Sequence, residues 1–185
     1  LVDRDGAALR ALRARLDTSA SVETHVVDLT RRNDVEAFVE KLGAVDLLVN
    51  NAGISVPGRF DTVSLDAIER TLDVNLVAAV RLTRLVLPKM PRGACIVNIA
   101  SASGLMAPGG LAAYAASKFG LVGFSEALRV ELADRDISVM AVCPAFVRTG
   151  ILAKSADQLG DKERQRAVSA AGARRAEMLE TWGIE

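Results

Sequence analysis

Short apolar, β-branched runs recur along this chain, separated by longer stretches whose apolar residues return every three or four positions. The runs "VDLLVN" (45–50), "ACIVNIA" (94–100) and "ISVMAVCP" (137–144) read as fully buried strands, the last stopped by Pro144. "VETHVV" (22–27) reads as a shorter strand, and the chain opens on what looks like a strand end. "AALRALRARL" has leucines at 9, 12 and 16, the spacing of an amphipathic helix. "RNDVEAFVEKL" keeps Val35, Phe38, Val39 and Leu42 on one face, with Asn33 expected as its N-cap. One long helix is expected over 64–90, closed by Pro88, and another from Tyr114 to about Ala133. Strand, helix and strand at this pitch build right-handed βαβ units. The expected fold class is therefore α/β, a doubly wound parallel sheet with helices on both faces in three layers.

At 185 residues the chain suits one domain, 1–185, with a sizeable core. Lysine plus arginine equals aspartate plus glutamate at 23 each, so no global field points to nucleic acid or an anionic membrane as partner. Cys95 and Cys143 lie inside apolar runs and read as buried free thiols of a reducing compartment. No apolar run approaches the roughly 20 residues that span a bilayer, and no secretory leader is evident. A cytoplasmic location is the expectation. Beyond Pro144 the sequence turns alanine-rich, charge-rich and helical. Residues 145–185 read as a cover over a site at the strand ends, where ligands of open α/β sheets bind.

Several polar residues stand at or near strand ends. Asn50, Asn51, Ala52 and Gly53 follow one buried strand; small residues there admit close backbone approach to a ligand, and asparagine amides can tie strands together. The same residues also make an ordinary strand-exit turn. Ser101 follows the next strand, where a helix cap or turn role is the common alternative. Asn75 sits within a helix, where asparagine is a poor former and, if buried, needs partners or a local bend with bound water. Tyr114 and Lys118 are four apart and share a helix face. A nearby ammonium favours the phenolate and brings a tyrosine toward useful acid–base work. His25 has no Ser, Asp or Cys partner pattern and no catalytic role is expected of it; no metal site is expected either.

The order of these elements, with "DLLVNNAGI", "DVNLVAAVRLT", "IVNIASASGL", "AAYAASKFGL" and "VCPAFVRT", resembles the short-chain dehydrogenase/reductase family over residues 1 to about 150. The resemblance implies a Rossmann-like fold that binds NAD or NADP, and hydride transfer between nicotinamide and a secondary alcohol or ketone. It implies Tyr114 as general acid/base and Lys118 as the cation that supports it and bonds the nicotinamide ribose. Ser101 would hold and polarise the substrate oxygen, and Asn75 would support a water that relays protons to the lysine. Asn51, Ala52 and Gly53 would line the adenosine side, Asp28 and Leu29 would meet adenine, and Val147 and Thr149 would contact the nicotinamide end. Asp3, placed to accept from ribose hydroxyls, suggests NAD over NADP, although Arg4 beside it could pair with a 2′-phosphate.

The chain departs from the family pattern in Ala145 after Pro144, and in Ala100 where a serine usually precedes Ser101. The glycine-rich turn of the family would lie upstream of Leu1 and its final strand beyond Glu185, so an interior piece of a longer protein is expected. The alternative is a non-catalytic nucleotide-sensing or interaction domain of the same fold. Leu105, Met106, Ile151 and Leu152 suggest an apolar substrate pocket. "GLVGFSEALRVELA" has apolar residues on more than one side, consistent with a homodimer or homotetramer, as the resemblance also suggests.

Overall fold

The computed structural model describes residues 1–16 and 21–145. The expected cover at 145–185 lies almost wholly outside that range, as do Val147, Thr149, Ile151 and Leu152. Within it, strands and helices alternate: β1 Val2–Asp3, α1 Gly6–Arg15, β2 His25–Val26, α2 Arg32–Glu40, β3 Leu47–Asn50, α3 Leu65–Leu72, α4 Ala78–Val86, β4 Cys95–Ile99, α5 Ala112–Glu131 and β5 Ser138–Val142. All pairings are parallel: β1 with β2 in one ribbon, and β3–β4–β5 in a second sheet. Asn50 stands opposite Asn98 in the β3–β4 register, and Asn98 opposite Ala141 in β4–β5.

The helices form where capping and periodicity agree. Asp5 caps α1, its carboxylate accepting from Ala7 N and Ala8 N at 3.0 and 2.9 Å. Ser64 caps α3 in the same way. α2 begins at Arg32, and its cap, Arg31, stands two residues before the expected Asn33. Asp28 explains the shift: its Oδ1 accepts from Thr30 N and Thr30 Oγ1 at 3.0 and 2.7 Å, turning the chain before Asn33 is reached. The single helix expected over 64–90 is three pieces. A π-helical segment, Asp73–Val77, separates α3 from α4, and a 3₁₀ turn at Leu87–Lys89 carries Pro88. π segments inside α-helices often mark functional sites.

One apolar core joins both sheets to the helices: Val27, Val35, Phe38, Leu48, Leu82, Val86, Ile96, Leu128 and Val139 pack together. The strands expected to be buried throughout are buried at alternate positions among the described residues. Leu48 and Ile96 point inward, while Leu47, Val49 and Met140 remain exposed. A buried polar chain crosses this core. Asn50 Nδ2 donates to Thr83 Oγ1 at 3.0 Å and to Asn98 Oδ1 at 2.8 Å, and Asn98 Nδ2 donates to Ser125 Oγ at 2.8 Å. It stitches β3, β4, α4 and α5, and each buried amide finds a partner, as the low-dielectric interior requires. Both cysteines are free and half-buried. No helix of the described residues is long and apolar enough to cross a membrane.

Candidate active site

Because neighbouring strands run parallel, the residues after each strand gather at the carboxyl edge. Asp3 ends β1, Asp28 follows β2, Asn51 follows β3, Ser101 follows β4 and Cys143 follows β5. α5 then lays its first turns across this edge. Tyr114 and Lys118 fall on one side of it, with the Lys118 ammonium 5.8 Å from the centre of the Tyr114 ring.

Lys118 is buried, 3% exposed, and its Nζ donates to Ile99 O at 2.7 Å. That carbonyl is the last of β4, two residues before Ser101. Burial of the charged form pulls its pKa down from the ordinary 10.5 to about 8, opposed by attraction to Cys143 when its sulfur is ionised. Gly104 explains how the loop after β4 comes so near. A Cβ there would lie 2.7 Å from Lys118 O and 2.9 Å from its carbonyl carbon, both backbone atoms of the helix. Only glycine allows this approach.

Ser101 caps the 3₁₀ turn Ala102–Gly104, its Oγ accepting from Ser103 N at 3.1 Å. The cap role and the substrate role are compatible. Capping uses a lone pair, and the hydroxyl proton remains for another acceptor.

Asn75 lies in the π segment and is 1% exposed. Its Oδ1 accepts from Ile54 N at 2.8 Å, and its Nδ2 donates to Ile54 O at 2.9 Å and to Ser117 Oγ at 3.0 Å. The amide thus clamps the loop leaving β3 onto α5. Both N–H groups of Nδ2 are spent on protein acceptors, so its side chain acts first as a brace.

The residues expected to hold a nucleotide line the same edge. Asn51 and Ala52 are exposed and Gly53 half-buried. A Cβ on Gly53 would sit 3.5 Å from Asn75 Oδ1 and 3.7 Å from Lys118 Nζ, so glycine leaves the space beside the ammonium open. An open backbone next to a buried cation fits the ribose and phosphate chemistry of a dinucleotide. Asp3 is exposed, and its Oδ1 accepts from Asp5 N at 2.9 Å, which fixes the carboxylate. The Thr30 hydroxyl, donating to Asp28, leads the effects that hold the Asp28 carboxyl below its usual range; Arg4 adds to them. Arg81 Nη1 donates to Leu29 O and Thr30 O, both at 3.1 Å, tying α4 to the exit of β2. A cavity of about 410 Å³ opens there between Arg4, Asp28 and Thr30 on one side and Asp66, Glu69, Arg70 and Asp73 on the other. Val147 and Thr149 fall outside the described residues.

His25 stands apart from this edge's chemistry, 3.4 Å from the Glu23 carboxylate and tilted against the Phe38 ring at 5.1 Å. Reading the sequence missed Ser117, Ile54 and Arg81. Only Ser117 left a signal: it lies three residues after Tyr114, on the face Asn75 must find a partner on.

Fold and edge together define a parallel α/β protein with Ser101 just past the end of β4, and Lys118 bonded to that strand end from the helix that carries Tyr114. A profile of the short chain dehydrogenase family matches residues 1–160, and the chain belongs to that family. It is 39% identical over 160 residues to a Nodulation protein G of Rhizobium sp. (strain N33), covering 83% of this chain and 64% of that protein. It is 35% identical to a 3-oxoacyl-[acyl-carrier-protein] reductase of Thermotoga maritima, covering 80% and 61%. A crystal structure of a short chain dehydrogenase/reductase from Burkholderia phymatum in complex with NAD superposes with a TM-score of 0.76 at 31% identity, covering 88% of this chain and 61% of that one. The chain spans less than two thirds of the length of these relatives.

Proposed function

We propose that this chain is the nucleotide-binding and catalytic part of an NAD(P)-dependent oxidoreductase acting on a secondary alcohol or ketone. The observation that carries the reading is Lys118. It is a buried ammonium on the face of α5 that bears Tyr114, anchored to the end of the strand that delivers Ser101.

In this reading Tyr114 gives its phenolic proton to a carbonyl oxygen, or takes the proton of an alcohol in the reverse direction. Ser101 donates its free hydroxyl proton to the same oxygen and stabilises charge that develops there. Lys118 has three N–H groups, and Ile99 O engages one among the described residues. Its charge supports the phenolate, and its other N–H groups suit ribose hydroxyls. Asn75 holds the loop that carries Gly53 against α5, and a water relay through its segment to Lys118 belongs to the same proposal. Asp3, Asp28, Leu29, Asn51, Ala52, Gly53, Val147 and Thr149 are the residues assigned to hold the nucleotide, which when bound supplies the hydride donor or acceptor.

NAD is the favoured cofactor. Arg4 faces the Asp28 carboxylate, and the cavity beside it carries Asp66, Glu69 and Asp73, so a 2′-phosphate would meet more negative charge than positive. For the substrate, the reductase relative suggests a 3-oxoacyl group, and exposed Leu105 and Met106 provide apolar surface near Ser101. Exposed Phe119 and Val130, with Gly123 facing open space, give α5 an outer apolar stripe for a second subunit. Light scattering of the protein should therefore give a dimer or tetramer; a monomer at micromolar concentration would remove that part.

The test of the reading is NADH consumption by the protein with acetoacetyl-coenzyme A, a small 3-oxoacyl thioester, alongside a panel of simple ketones. Turnover supports the oxidoreductase. Tight nucleotide binding without turnover on any of them would instead support an interaction domain of the same fold.

A further inference from the structure

Ser117 is completely buried and lies between Tyr114 and Lys118 on α5. Its hydroxyl donates to Tyr114 O at 2.6 Å and accepts from Asn75 Nδ2 at 3.0 Å. The remaining polar bonds of Asn75 go to Ile54, at 2.9 and 2.8 Å. The hydroxyl therefore joins the π segment to the first turns of the helix that bears the acid/base residue, and Asn75 extends the tie to the loop leaving β3.

Packing alone gives no reason for a serine here. Alanine fills nearly the same volume and is the better helix former. A serine that bonds back to its own helix competes with the regular ladder and tends to bend it. What the hydroxyl adds is the tie. Without it, a buried N–H of Asn75 loses its acceptor and the carbonyl of Tyr114 loses a donor. Proton transfer needs heavy atoms about 2.6–3.2 Å apart, and misplacement by about 1 Å can cost a hundredfold in rate.

We propose that Ser117 is a positioning residue that fixes, through the Tyr114 backbone, where the phenol stands relative to Lys118 and Ser101. The proposal rests on the reading of Tyr114 as the acid/base. Gly120 lies at the same contact between α5 and the π segment, where a Cβ would meet the Leu76 side chain, 2.8 Å from its Cδ2. Ser117 completes that junction with a directional bond.

The experiment compares the protein with its Ser117→Ala, Ser117→Thr and Tyr114→Phe variants, using ring-labelled tyrosine in NMR. The Tyr114 ring signal is the one lost in Tyr114→Phe. In Ser117→Ala that signal should shift or broaden into several positions while melting and circular dichroism show a folded protein; Ser117→Thr, which keeps the hydroxyl, should restore it. With acetoacetyl-coenzyme A and NADH, Ser117→Ala should lose about tenfold or more in kcat with KM for NADH within about twofold. A Tyr114 signal unchanged in folded Ser117→Ala overturns the proposal, and so does a displaced signal with unchanged kcat. If Ser117→Ala does not fold, Ser117→Thr decides: a Thr variant that folds with a scattered ring signal overturns it. Retained turnover in Tyr114→Phe would instead remove the acid/base reading, leaving the ring signal to decide Ser117 by itself.

Discussion

The Lys118 ammonium and the Ile99 carbonyl are joined by a 2.7 Å hydrogen bond inside the protein, where the lysine has almost no contact with water. The bond connects the middle of α5 to the last residue of β4. It fixes the distance between the helix that carries Tyr114 and the strand end that carries Ser101. It also keeps a charge in a place where charge is costly, and that cost can be measured.

Lys118 binds its proton more weakly in the folded protein, at about 8, than in the unfolded chain near 10.5. Between those values the unfolded state holds more proton, so the stability assignable to this group climbs as pH rises through that window. Lys118→Met removes the cost of the buried charge, at most about 3 kcal/mol below pH 8, and with it a charge-assisted hydrogen bond of about 1.5–3 kcal/mol. The stability of the parent relative to the variant should therefore rise as pH climbs from about 8 to 10.5. Urea unfolding across that range checks it. A difference that stays constant with pH would show that Lys118 is not desolvated as described.

Gly104 sets the approach of the Ser101 loop to α5. Gly104→Ala puts a methyl against the Lys118 backbone, which cannot move as a side chain tip could. The expected loss is about 1–3 kcal/mol in stability and about tenfold or more in turnover, since Ser101 shifts with the loop. Gly109→Ala is the control. A Cβ at Gly109 meets nothing within 4 Å, and the change should stay within about 0.5 kcal/mol. Equal effects at the two glycines would contradict the close contact.

If Asp3 holds the ribose as proposed, Asp3→Ser should raise the preference for NADP over NAD by about tenfold, since a carboxylate there would accept from the ribose and repel a 2′-phosphate. Ratios of kcat/KM for the two nucleotides decide this. An unchanged ratio would take Asp3 out of cofactor selection and leave the acidic wall of Asp66, Glu69 and Asp73 as the discriminating feature.

The fold class was legible because apolar runs and amphipathic stretches alternate so regularly. Ser101 and Asn75 drew attention because one follows a strand and the other interrupts a helical pattern, and Tyr114 and Lys118 because a spacing of four puts them on one helix face. Their partners were not. The clamp of Asn75 on Ile54 spans 21 residues and its bond to Ser117 spans 42, and no local pattern encodes such pairings. The π segment hid within a stretch whose apolar spacing suits one continuous helix. Arg31 rather than Asn33 caps α2, just after a turn in which Asp28 bonds the backbone and hydroxyl of Thr30. The half-exposed strands escaped notice since Leu47, Val49 and Met140 are as apolar as the buried residues they alternate with.

Tyr114 is proposed to move the proton that accompanies hydride transfer. The most direct test is the turnover of Tyr114→Phe, with nucleotide affinity measured on the same preparation. The account predicts a loss of about a hundredfold or more in kcat, with NADH affinity and melting temperature close to the parent. Turnover within a few-fold of the parent, in a variant that still binds NADH, would contradict it and would assign the proton to some other group at the ends of β4 and β5.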